Sequence, residues 1–298
     1  MKKNKLNIHF LLILAVLFWG LTPSFMKLSI NEIEVFPFNV LRLFVALVTS
    51  GIFLIILGNW KHVERKDWIN FIIVGLFGFF VFQFCFPFGV KNTSASIASL
   101  IMATLPINVI IINLLSKSEK IIMKTVIGIL LSIIGISLII LGTNGGFSLE
   151  GTFSGGVILL IVAEMGFALY TVKAKDLIHK YSLYQVMFIV ILFSFLPFLI
   201  FSSNQIRSLN ISNISTLAWL GVAFTGIFGT CMGNILWYKG IENLGSTKTS
   251  IYANLPPVFG ITASFLFLKE TLSILQILGG FVIISGVILV NRKKNLNS

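Results

Sequence analysis

The sequence predicts an all-α polytopic membrane protein with ten transmembrane helices, arranged as two inverted five-helix repeats. Three observations predict it. The chain has 298 residues, of which 56% are hydrophobic and only 11% are charged, and phenylalanine alone occurs 29 times. A soluble domain of that size needs far more charge to cover its surface. The apolar residues fall into ten runs, each of about the 20 residues that cross ~30 Å of hydrocarbon as a helix. The first half of the chain is also repeated in the second half at an offset near 151, and such self-similarity constrains a fold more than any local pattern.

The runs cover roughly 8–29, 36–57, 68–88, 94–115, 123–142, 154–174, 183–202, 214–236, 248–268 and 273–290. The first follows Lys2, Lys3 and Lys5. It is too long for the apolar core of a signal peptide, lacks a small-x-small cleavage site and carries Trp19 at its centre, so it reads as a retained helix. The fourth and ninth runs are the weakest, being rich in Ser, Thr, Ala and Pro; the repeat supports both. Thr93-Ser94-Ala95-Ser96 and Ser246-Thr247 read as polar caps at their starts. Pro106 and Pro256-Pro257 are expected to kink these helices and release carbonyls.

The repeat is plainest in the third and eighth runs. Gly75, Phe77, Gly78, Gln83, Gly89 and Asn92 align with Gly226, Phe228, Gly229, Asn234, Gly240 and Asn243. After one residue drops out, Ala103, Leu105 and Pro106 align with Ala253, Leu255 and Pro256. Gly128 and Gly135 then meet Gly279 and Gly286. Two units follow, residues 8–142 and 154–290. Gly128, Ser132 and Gly135 share one face of the fifth helix, and Gly279 and Gly286 repeat that spacing on the tenth. Such small-residue faces suit close helix contact, within the chain or in a homodimer.

Lysine and arginine set the orientation. With a cytoplasmic N-terminus, 17 of the 22 basic residues lie on the inner side, in the clusters around Lys61–Lys66, Lys117–Lys124, Lys173–Lys180, Lys239–Lys248 and Arg292–Lys294 as well as at the start of the chain. Lys27, Lys91, Arg207 and Lys269 lie outside, and Arg42 lies within a helix. This bias predicts that both termini are cytoplasmic. It also explains the net charge of +12 without nucleic acid as a partner. Five helices per half is an odd number, so the second half enters the membrane with the opposite orientation. Inverted repeats of this kind are typical of transporters, because one structure can open to either side by exchanging the conformations of its halves.

The chain resembles the drug/metabolite transporter superfamily, in its ten-helix EamA-type branch of small-molecule permeases. The resemblance rests on Phe18-Trp19-Gly20, Pro37 with Leu41-Arg42-Leu43, the glycine-rich third helix, Ala103–Pro106, and the tail Leu268-Lys269-Glu270-Thr271-Leu272 with Gln276, Gly279 and Gly286. It implies two EamA-like halves and transport of small organic solutes across a bacterial plasma membrane. The counterpart of the Arg42 helix, Tyr184 to Phe201, has no arginine, which departs from the symmetry.

Charged groups within hydrocarbon are the first site candidates, because each needs a partner or water. Glu164 is the one carboxylate deep in a span. It reads either as a protonated or hydrogen-bonded packing residue or as a group that couples protons or meets a cationic part of a solute. Arg42 lies about one and a half turns inside the outer end of its helix and reads either as a snorkelling side chain or as part of the site. Gln83 and Asn234 are repeat-related, and Asn108 and Asn254 lie in the two Pro-containing helices. Such amides serve as interhelical glue or as solute contacts. Trp19 is mid-membrane and lines a pocket or packs in the core; Tyr170 shares the sixth helix with Glu164. The other tryptophans, Trp60, Trp68, Trp219 and Trp237, are expected near the interfaces.

The expected function is a secondary transporter moving a small organic metabolite, such as an amino acid or related amphipathic compound, by alternating access with proton coupling through Glu164. An uncoupled facilitator or channel is the alternative, and a polytopic membrane enzyme ranks below both. His9, His62 and His179 are scattered at helix edges, and no metalloprotease, phosphate-loop or dinucleotide signature occurs. No metal or cofactor is expected. The partners are the solute and the lipid bilayer. Cys85 and Cys231 sit in apolar runs as small packing residues.

Overall fold

The computed structural model describes residues 3–92, 101–102, 104–119, 121–142, 155–207, 209–259 and 273–291. Besides the short helical turns Ser203–Arg207 and Ile211–Asn213, the described residues form the following helical elements in chain order. They are α1 (Lys3–Ile30), α2 (Val35–Leu57), α3 (Asp67–Ile72, Ile73–Phe80 and Val81–Lys91 in one run), α4 (Leu105–Ser116), α5 (Met123–Leu141), α6 (Gly155–Lys180) and α7 (Leu183–Phe201). Then come α8 (Thr216–Phe224, Thr225–Met232 and Gly233–Leu244 in one run), α9 (Ser246–Ser250 with Ile251–Asn254) and α10 (Ile274–Asn291). Seven of them, α2, α3, α5, α6, α7, α8 and α10, are long and apolar enough to cross a membrane, judged by length and composition. The all-α polytopic membrane fold is therefore observed.

Several helix starts and breaks follow from local chemistry. Ser273 and Gln276 form a reciprocal capping box at the start of α10: Ser273 Oγ accepts from the Gln276 N–H at 3.2 Å and Gln276 Oε1 accepts from the Ser273 N–H at 2.9 Å. Pro106 stands in the first turn of α4 after a turn at Thr104, where a missing N–H costs nothing. The α9 helix tightens to a 3₁₀ turn over Ile251–Asn254 just before Pro256. The sequence Thr93–Ser96 lies outside the described residues, as do the end of the predicted ninth run and the start of the fourth.

Two stretches depart from α geometry in the same way. Ile73–Phe80 in α3 and Thr225–Met232 in α8 are π-helical, and the two are 152 residues apart. Both contain the aligned glycine pairs, Gly75 with Gly78 and Gly226 with Gly229. A π-turn inserts one residue into a helix without breaking it, and such turns concentrate at functional positions.

The packing pairs the two halves. α1 packs on α8 and α3 on α6, α2 packs on α7, and α5 packs on α10. Shifting every helix by five returns the same set of pairs. The α5–α10 contact is antiparallel and uses the small-residue faces. A Cβ on Gly135 would stand 2.6 Å from the Gly279 carbonyl oxygen, and one on Gly286 would stand 2.5 Å from that of Gly128. Only glycine lets the two backbones approach this closely. The small faces predicted for either an internal contact or a homodimer are thus used within the chain.

Two helices extend further at one end than their apolar runs. α6 continues to Lys180 and α8 to Leu244, so Lys175, Lys180 and Lys239 belong to helices rather than to loops. Amphipathic last turns are polar enough to escape an apolar-run count yet keep helical hydrogen bonding. Both cysteines are buried and free.

Candidate functional site

Trp19 of α1, Phe167 and Tyr170 of α6, and Trp237 and Tyr238 of α8 form one aromatic cluster. The Trp19 ring lies 4.9 Å from that of Trp237 and 5.6 Å from that of Phe167. Phe167 contacts Phe82 of α3 at 4.7 Å and Tyr170 at 5.3 Å, and Tyr170 contacts Tyr238 at 5.3 Å. Tilted and offset rings at such spacings are favourable contacts. The polar tips are tied down. Trp19 Nε1 donates to the Gly229 carbonyl at 3.0 Å, within the second π-helical stretch. Trp237 Nε1 donates to Thr171 Oγ1 at 3.2 Å. Tyr170 donates to Asn234 Oδ1 at 2.9 Å, and Asn234 Nδ2 donates to the Thr230 carbonyl at 2.8 Å.

This cluster corrects one expectation. Trp237 is not at an interface; it is fully buried. It lies three residues beyond Asn234 on the same helix face, and the continuation of α8 to Leu244 puts it well inside. Trp60 and Trp68 remain exposed, at 56% and 39%.

Glu164 lies one turn from Phe167 on α6 and is 2% exposed. The ion pairs among the described residues are Lys66–Glu64, Lys175–Glu119 and Lys180–Asp67, so none reaches it, and no described residue gives it a hydrogen bond. Of the two packing readings, hydrogen-bonded or protonated, the first has no bond among the described residues, and the second stands beside the functional one. A carboxyl group without a hydrogen bond in an apolar interior is costly in its ionised form, and favours holding a proton or meeting a cation.

Arg42 is 4% exposed and packs within the protein. Its Nε donates to Asn39 Oδ1 at 2.7 Å and its Nη2 to Gln83 Oε1 at 3.0 Å, with the Phe38 ring 5.6 Å from the guanidinium carbon. Arg42 and Gln83 are thus brought together, as are Trp19, Tyr170 and Asn234. Asn254 is fully buried, and neither of its amide atoms has a partner among the described residues. Two residues on, Pro256 comes within 4 Å of where a Cβ on Gly20 would stand, beside Trp19. Asn108 is not drawn in among the described residues; its amide reaches Thr104 Oγ1, just before its own helix, at 3.4 Å.

A second cluster was not foreseen. Glu119 Oε1 accepts from Lys175 Nζ of α6 and from the Ser246 N–H, both at 2.8 Å. Its Oε2 accepts from the Thr247 N–H at 3.1 Å and the Thr247 hydroxyl at 2.7 Å. Asn113 of α4 donates to Ser246 Oγ and Thr247 Oγ1, each at 2.9 Å. The expected cap is therefore corrected: Ser246 and Thr247 do not cap α9, whose cap position is Gly245 and whose first N–H groups are met by a carboxylate 127 residues earlier. Beside this cluster opens a cavity of about 370 Å³, lined by Lys175, Glu242, Thr247 and Lys248 among others. Burial raises the Glu119 pKa, but the bonds from Lys175, Thr247 and Ser246 outweigh it and hold the carboxylate below its ordinary value.

The model of the EamA-like transporter family matches residues 6–141 and again residues 154–292. This chain belongs to the EamA-like transporter family. It is similar to the uncharacterized transporter YetK of Bacillus subtilis, with 29% identity over 98% of this chain and 89% of the relative. An uncharacterized transporter of Archaeoglobus fulgidus is 27% identical over 95% of this chain and 98% of its own length. The WAT1-related protein At3g02690, chloroplastic, of Arabidopsis thaliana is 26% identical over 94% of this chain and 68% of its own. A crystal structure at 15% identity superposes with a TM-score of 0.79 over 96% of this chain and 98% of that one, and so shares the fold. The family and the Bacillus and Archaeoglobus relatives are named as transporters rather than enzymes, and this EamA-like chain is a multi-pass membrane transporter.

Proposed function

We propose that the protein is a secondary transporter that moves a small organic metabolite, such as an amino acid or related amphipathic compound, by alternating access, with Glu164 carrying the coupled proton. The observation that carries this reading is Glu164 itself, buried without a partner among the described residues one turn from an aromatic cluster built from both halves of the chain. Apolar and aromatic walls with a few polar groups suit a small-molecule site, and an unpartnered carboxyl at membrane depth suits a proton relay.

The pairing of helices supports the exchange of conformations. Residues 8–142 and 154–290 act as inverted repeats, so that the contacts α1–α8 and α3–α6 trade roles as the site turns from one face to the other. Both termini lie on the cytoplasmic side of a bacterial plasma membrane. The Glu119 cluster then stands at the inner face, where it ties α4, α6 and α9 together while that face is shut.

The test is Glu164→Gln in proteoliposomes with an imposed pH gradient, using a solute found by thermal stabilisation of the purified protein. The variant should insert normally and lose most pH-driven transport, and Glu164→Asp should retain part. An unchanged rate with unchanged pH dependence overturns proton coupling through Glu164 and favours an uncoupled facilitator. Non-saturating flux without counterflow favours a channel.

A further inference from the structure

We propose that Arg42, with Asn39 and Gln83, forms the subsite for an anionic head group of the solute, and that the solute class is therefore a carboxylate with an apolar or aromatic body. The proposal rests on the carrier reading and adds to it a residue, Asn39, and a ligand charge.

The starting point is an imbalance of donors and acceptors. A guanidinium has five N–H donors. Two are used, by Asn39 Oδ1 and Gln83 Oε1, and both acceptors are neutral amides. No carboxylate among the described residues pairs with Arg42. Asn39 adds to the surplus. Because its Oδ1 accepts from Arg42 Nε, its Nδ2 is fixed as the donor beside the guanidinium. That Nδ2 is fully buried and has no acceptor among the described residues. Donors thus converge at one buried place, with a full positive charge and no carboxylate among the described residues to receive them. An uncompensated cation at this depth is costly, and a guanidinium fork matches a carboxylate in shape as well as in charge.

Position links this place to the aromatic cluster. α3 and α6 run antiparallel, with Gly89 set against Leu160, Phe82 against Phe167 and Gly78 against Tyr170. In this register Glu164 lies opposite residues 84 and 85. Gln83 is within two residues of that level, or about 3 Å along the axis. Arg42 bonds to Gln83, so the buried cation and the buried carboxyl group sit at closely similar depth without pairing to each other. Phe82, next to Gln83, contacts Phe167 and through it Trp19 and Tyr170. A head group on Arg42 and Asn39 would leave an apolar body beside these rings.

The experiment uses the purified full-length protein and thermal unfolding. The probes are benzoate, phenylacetate and 3-phenylpropionate, each against its neutral amide at matched ionic strength. At least one acid should raise the unfolding temperature in a saturable way, with its amide at least tenfold weaker. Gln83→Glu supplies Arg42 with an internal carboxylate, so it keeps the buried charge satisfied while it should abolish the acid preference. Arg42→Gln should abolish it as well, and Asn39→Ala should weaken acid binding severalfold. Stabilisation by none of the three acids, equal stabilisation by acid and amide, or an undiminished preference in Gln83→Glu overturns the proposal. Acid-selective binding together with pH-independent transport would remove the proton coupling and leave the anion subsite standing. Coupled transport of an uncharged solute without acid binding would do the reverse.

Discussion

Glu119 Oε1 lies 2.6 Å from the point where a Cβ on Gly245 would stand. Gly245 also has φ +85°, a conformation in which a side chain is strained. The two facts have one cause. The chain turns sharply at the α8–α9 junction so that the first N–H groups of α9 face an acid on the α4–α5 loop, and that acid approaches until only a hydrogen fits.

Replacing Gly245 with alanine should therefore destabilise the protein, by about 1–3 kcal/mol from the backbone alone and by more once Glu119 is displaced. Thermal unfolding in detergent measures this. An unfolding temperature equal to that of the parent would mean that the junction relaxes freely.

Glu119 should give stability a dependence on acid. Its folded pKa is depressed, so its contribution is fully present above its ordinary value of 4.5 and is lost as the pH falls through the lowered folded value. Glu119→Gln should show a lower unfolding temperature at neutral pH and a flatter decline below pH 4.5. Parallel curves for variant and parent would assign the acid limb to other groups.

The Tyr170–Asn234 bond joins α6 to α8 in the buried interior. Tyr170→Phe leaves an acceptor unpaired, which costs about 1–3 kcal/mol. Combined with Asn234→Leu in a double-mutant cycle, the pair should couple by at least ~0.5 kcal/mol. Simple additivity would show that the two side chains act independently.

At the α5–α10 crossing, Gly135→Val should be strongly destabilising, because a Cβ there meets the Gly279 carbonyl oxygen at 2.6 Å and overpacking costs roughly 1–3 kcal/mol even where neighbours can shift. Expression and monodispersity on size exclusion test this. A well-folded Gly135→Val would mean the helices can separate.

For orientation, single cysteines can be placed in a background lacking Cys85 and Cys231. Asn144→Cys should react with an impermeant maleimide from outside intact cells, and Ser118→Cys should be shielded until the cells are opened. The reverse pattern would invert the proposed topology.

What the sequence determined by itself was the membrane class, the family resemblance, the repeat, and the deep polar residues Glu164 and Arg42. Each of these is written in local composition or in self-similarity. It also marked Gly128, Gly135, Gly279 and Gly286 as a contact surface, but not which surface each would meet. Only the tertiary structure decided that they meet one another, that Trp237 joins Trp19, that Asn39 stands beside Arg42, and that Glu119 caps α9. The physical reason is that hydrocarbon removes the usual clue. On α7, Val190 is fully buried and Ile200 is 70% exposed, yet both are apolar, because lipid and core accept the same side chains. Periodicity then cannot tell the inner face of a helix from the outer. The choice passes to close backbone approach and to hydrogen bonds between segments more than a hundred residues apart, and those exist only once the helices have packed.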